Sequence, residues 1–155
     1  MKILFVDVDG VLIPASQAIL DPLCFLNRNI PELQITMLAR ICEITDAKVV
    51  MNTTHNLNQP DEPSVHELMV RKGFDIKHFH PVCNKTKYPH IPRRSAVKDW
   101  MQEHGDDVVQ WICIDDAVCA DKPHMVHVDS EVGITITNMN SILCSFGHAP
   151  ILIFV

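Results

Sequence analysis

Three short stretches of this 155-residue chain carry side chains able to do chemistry together. ILFVDVDG, residues 3–10, sets Asp7 and Asp9 two apart after an apolar run, with Gly10 next. VVMNTTH ends a second apolar run in Thr53 and Thr54, followed by His55. WICIDD ends a third in the adjacent acids Asp115 and Asp116. In an extended chain residues two apart share a side, so Asp7 and Asp9 are expected to face one cavity. Two unit charges 4 Å apart repel by about 4 kcal/mol at an effective dielectric of 20, so four carboxylates together need something positive among them. Oxygen donors that include only a few carboxylates suit Mg²⁺, which keeps several waters and takes phosphate as a further ligand. Either acidic couple alone could simply cap a turn; both together with a threonine turn argue for a site.

Elements must bring these groups to one place. Lys2–Val8, Lys48–Asn52, a piece of FDIKHFHPVC, VVQWICIDD and HMVHVDS read as strands that are largely apolar, and the tail ILIFV as a further one. Helices are expected from Pro31 to about Asp46, with Leu33, Met37, Leu38, Ile41 and Ile44 on one face, over SVHELMVRKG, and over SAVKDWMQEHG. Ser64 and Glu67 have capping-box spacing, and Gly73 and Gly105 stand where helices stop. Pro14, Pro22 and Pro31 break residues 14–31 into loop. Apolar strands alternating with helices make a parallel sheet covered on both faces, a three-layer αβα sandwich with a Rossmann-like, mostly parallel sheet. Ligands of such sheets bind at the carboxyl ends of the strands, where all three stretches end.

The totals bound the rest. The length suits one domain spanning residues 1–155. A net charge of −6 offers no global attraction to nucleic acid or to an anionic membrane, so nucleic acid enters only as a substrate, held by a local basic patch or a metal. The start MKILFVDVDG is too short and too acidic for a signal peptide, and no apolar run reaches membrane-spanning length. Among six cysteines, Cys24, Cys42, Cys113 and Cys144 have apolar neighbours and no CxxC pair exists. The reading is buried, reduced thiols in a cytoplasmic protein.

At this point the sequence resembles the haloacid dehalogenase (HAD) superfamily of phosphatases. FVDVDGVL is similar to its first motif, VVMNTTHN to its second, and WICIDD to its fourth; VDSEVGIT, residues 128–135, is similar to a late segment of small capless members. The resemblance implies strand order 5-4-1-2-3, little or no cap domain, and Mg²⁺-dependent hydrolysis of a phosphomonoester through an aspartyl-phosphate. It makes Asp7 the nucleophile and Asp9 the general acid and base, with the Asp9 carbonyl on the metal. Thr53 would hold the transferring phosphoryl group, with Gly10 and Thr54 on the substrate side, and Asp115 and Asp116 would complete the metal shell. His55 departs from the pattern, standing where close relatives often have Trp, and is a candidate substrate contact. A third motif needs a basic residue near the helix before WICIDD. Lys85, Lys87, Arg93, Arg94 and Lys98 are candidates, and Arg94, at the mouth of that helix, is chosen. A nearly capless site suits a bulky phosphorylated substrate: a nucleic-acid end, a nucleotide or a phosphoprotein. The alternative is a weak or inactive module that binds phosphate or a protein.

Other signals are set aside. His78, His80, Cys83 and His90 lack the twice-paired spacing of zinc ligands and read as structural or surface residues. Trp100 and Trp111 read as core. A receiver domain would place its acids in another order, and there is no GxxxxGK phosphate loop.

Overall fold

The structure, a computed structural model, describes residues 1–53, 63–84 and 93–151. Ile3, Leu4, Phe5 and Val6 are all fully buried because β1 (Lys2–Val6) runs up the middle of a sheet covered on both faces. β2 (Ala47–Met51) and β4 (Gln110–Asp115) flank it. β3 (Phe79–Asn84) and β5 (Met125–His127) form the edges, in the all-parallel order β3-β2-β1-β4-β5. This is the expected order read from the other edge.

Strand alternation divides the core. Leu4, Val6, Val49, Met51, Ile112 and Ile114 pack on one side with residues of α1 (Glu32–Thr45) and α4 (Ile136–Ser145). Ile3, Phe5, Val50 and Cys113 pack on the other against Val97 and Trp100 of α3 (Arg93–His104). Phe5 meets Trp100 and Trp111 edge-on, with ring centroids 5.3 and 5.8 Å away. The layers are therefore α, β, α, as the sequence predicts. Ala15–Ile19 forms only a short 3-10 turn in the proline-broken stretch. No described helix is long and apolar enough to cross a membrane.

Local rules hold at α2 (Val65–Arg71). Ser64 Oγ accepts from Glu67 N while the Glu67 side chain accepts from Ser64 N, and the bonds that the Ser64 N–H and then its hydroxyl donate hold the Glu67 carboxyl below its usual range. They fail in part at α1, where Leu33 is 64% exposed. At about 100° per residue, Leu33 lies some 110° from the inward face centred on Gln34, Leu38, Ile41 and Thr45. Two polar residues on that face hide its centre from a hydrophobicity pattern. α4 is absent from the sequence reading altogether. Its start is a capping box closed by Asn138 in place of Glu or Gln: Thr135 Oγ1 accepts from Asn138 N, and Asn138 Oδ1 from Thr135 N. The tail falls outside the described residues beyond Ile151, whose backbone the Asn140 side chain holds at both N–H and carbonyl.

The thiols need correction. Cys113 is bonded to Cys119, and Cys144 is exposed, whereas Cys24, Cys42 and Cys83 are free and buried. Spacing gave no sign of the pairing, because a loop leaving β4 folds Cys119 back onto the strand. Burial pushes the Cys42 thiol up to about 12. His78 and His80 are buried next to Phe74 and Trp100. Desolvation holds both imidazoles below their usual pKa, and they enter no metal-type cluster among the described residues.

Candidate active site

Register decides what meets at the carboxyl rim. Val6 lies opposite Met51 on one side and Ile114 on the other, and the ladder continues with Asn52 N donating to Val6 O and Asp7 N to Ile114 O. Asp7, Asn52 and Asp115 are therefore the next residues of three adjacent strands. Beyond Asp7 the chain does not stay extended. Val8 O accepts from Leu12 N and Ile13 N, Gly10 N donates to Ile13 O, and Gly10 turns through φ +74°. The stretch after Asp7 is therefore a hydrogen-bonded turn and not a continuation of the strand. Asp9 sits inside the turn, bridged to Ile13, and is not part of the close acidic group.

That group is Asp7, Asp115 and Asp116, each offering a carboxylate oxygen within 4.8 Å of the others. Asp7 and Asp115 are buried and Asp116 is half-buried. Asp115 is held on both oxygens: Oδ1 accepts from Ala117 N at 2.8 Å and Oδ2 from Asn52 Nδ2 at 3.4 Å. A Mg²⁺ ion with bonds of about 2.0–2.1 Å sets opposite ligands roughly 4.2 Å apart, so small side-chain movements bring these oxygens onto one ion. Hard oxygen donors, buried like charges and this spacing all fit such a cation. Gly10 makes the arrangement possible: a Cβ there would lie 2.6 Å from Asp116 Oδ2 and 3.0 Å from Ser130 Cβ. Its observed surroundings are thus Asp116 and Ser130.

Residues 128–135 strap the turn down. Ala15 N and Ser16 N donate to the carbonyls of Ser130 and Glu131, and Ile134 N donates to Val11 O. Gly133, at φ +73°, approaches Val11 and Pro14 too closely for any side chain.

The other expected residues divide. Thr53 is buried just past β2, beside this rim. Thr54, His55, Lys85, Lys87 and His90 lie outside the described residues. Arg94 reaches Asp121, in the loop after β4, with which it is ion-paired at an exposed position. Lys98 is exposed one turn further along α3. In the sequence Asn52 reads only as the end of a strand. The available signal was its place one residue before the threonine turn.

The family model described as "HAD domain in Swiss Army Knife RNA repair proteins" matches residues 3–139. No curated protein and no solved structure matches the chain.

Proposed function

Because the chain belongs to the family of HAD domains found in Swiss Army Knife RNA repair proteins, we propose that it is a Mg²⁺-dependent phosphatase removing a terminal phosphomonoester from RNA. The observation that supports this most is the meeting of Asp7, Asp115 and Asp116 at the carboxyl rim of the sheet. Asp7, Asp115, Asp116 and the Asp9 carbonyl are the groups that would hold the metal. When bound, it neutralises charge on the phosphoryl oxygens.

The chain's own residues do the rest. A carboxylate oxygen of Asp7 attacks phosphorus, and the bond to the RNA oxygen breaks as protonated Asp9 donates to that leaving oxygen. The product is an aspartyl-phosphate and an RNA hydroxyl. Asp9, now a carboxylate, takes a proton from water; the resulting hydroxide attacks phosphorus, and Asp7 leaves as a carboxylate with inorganic phosphate released. Thr53, buried at the end of β2, donates its hydroxyl to a phosphoryl oxygen. Asn52 donates to Asp115 Oδ2 and would orient the carboxylate that holds the metal. The buried free thiols Cys24, Cys42 and Cys83 favour a cytoplasmic setting, and the bond between Cys113 and Cys119 counts against it.

The test is hydrolysis of 4-nitrophenyl phosphate and of phosphorylated RNA. Activity should require Mg²⁺, disappear with chelator, and fall at least a thousandfold in Asp7→Asn. Equal inertness of wild type and variant toward every phosphomonoester would sink the reading. It would favour a phosphate-binding module instead, for which the pairing of Arg94 with Asp121 is the supporting observation.

A further inference from the structure

A cavity of about 380 Å³ lies between α3 and the loop that follows β4, and nothing in the reaction above uses it. Arg94 and Lys98 stand at its α3 side and Asp121 opposite, the half-buried Met101 and Trp111 supply thioether and aromatic surface, and the buried Cys119 lies beneath. Its lining reaches to within one residue of the acidic group: the buried Cys119 lines the cavity, and its Sγ lies within 4.8 Å of an Asp115 oxygen. We propose that this cavity is the subsite for the nucleoside next to the terminal phosphate of an RNA strand, with Arg94 and Lys98 taking the phosphodiester that follows. The proposal rests on the phosphatase reading and adds to it the part of the substrate that gives specificity.

Three features point to a nucleoside. The volume is at the small end of ligand sites and suits one base with its sugar. Trp111 carries His124 stacked on one face at 4.1 Å, and its remaining surface with the Met101 thioether gives a base apolar contact without a sequence preference. Two cations one helical turn apart stand on a chain whose net charge is −6, so they form a local exception that an anionic backbone can find. The Arg94–Asp121 pair does not close the site. Both side chains are more than half exposed, at 55% and 74%, and an exposed pair adds little stability. A phosphate, which takes the guanidinium fork bidentately, displaces Asp121 readily. Arg94 thereby acquires a role other than the third-motif grip on the transferring phosphoryl group.

The test measures binding of an RNA trinucleotide phosphorylated at both ends to Asp7→Asn protein, by tryptophan fluorescence, so that turnover plays no part. Ser95→Trp, which fills the cavity, should raise the dissociation constant at least tenfold. Lys98→Glu, at an exposed position that leaves the core intact, should raise it severalfold and lower the slope of log K against log salt by about 0.7–1. With Asp7 restored, both variants should lower kcat/KM for the trinucleotide at least tenfold relative to 4-nitrophenyl phosphate. Unchanged affinity and salt slope in Lys98→Glu overturns the proposal, as does stronger binding of a phosphoserine peptide than of the trinucleotide. Absence of hydrolysis with intact, variant-sensitive trinucleotide binding would instead overturn the phosphatase reading and leave the subsite standing.

Discussion

At the scale of single residues, the site depends on one missing side chain and one amide. Gly10 is both left-handed and pressed against Asp116. Gly10→Ala therefore adds backbone strain of about 1 kcal/mol and drives the Asp116 carboxylate away from its partners. The expected outcome is a Mg²⁺ requirement raised at least tenfold, read by titrating activity with metal, together with a lowered melting temperature. Asn52 makes the opposite point. Asn52→Asp keeps the shape but puts a fourth carboxylate against Asp115, replacing an attractive hydrogen bond by like-charge repulsion. The metal-free protein should lose stability, and added Mg²⁺ should recover more of it than in wild type. Differential scanning calorimetry with and without Mg²⁺ reads this directly.

Elements are held by devices that are short in sequence. α4 starts at Thr135, whose side chain satisfies an otherwise bare N–H of the first turn. Thr135→Ala should cost about 1 kcal/mol in chemical denaturation. The same helix contributes Met139, Ile142 and Leu143 to the core, so its loss would strip one face of the sheet. The loop after β4 is closed by the bond between Cys113 and Cys119, and both Asp115 and Asp116 lie inside that ring. By loop-closure entropy so short a ring contributes roughly 2 kcal/mol. Cys119→Ser should lose that much against oxidised wild type and nothing against reduced wild type, in paired denaturation curves.

Over the whole molecule, stability follows how the core treats protons. His78 and His80 are buried and their folded pKa values are depressed, chiefly by desolvation. The unfolded chain protonates them near their ordinary value of about 6.5, while the folded protein resists. Their contribution to stability is thus complete above that pH and is lost as pH falls through the lower folded values. Glu67 and Asp75, held ionised by Ser64 and Lys77, add a second loss below the usual carboxylate range. Melting temperature should fall in two stages on acidification, and His80→Gln should flatten the first stage.

The chain alone determined much of this protein. Apolar runs at β1, β2 and β4 have no other stable home than a sheet covered on both faces, and the acids and threonines that end them must then lie at one rim. The capping box at Ser64 is likewise a local contest that local residues win. What the tertiary structure decided rests on groups remote in sequence. A turn over residues 8–13 takes the chain out of the extended conformation at Asp9, and Asp7 meets Asp115 and Asp116. Strand register brings Asn52 to Asp115, the loop after β4 returns Cys119 to Cys113, and Arg94 finds Asp121. Each of these is a contact between segments whose meeting depends on register and loop path, and neither quantity is written in the periodicity of a single segment.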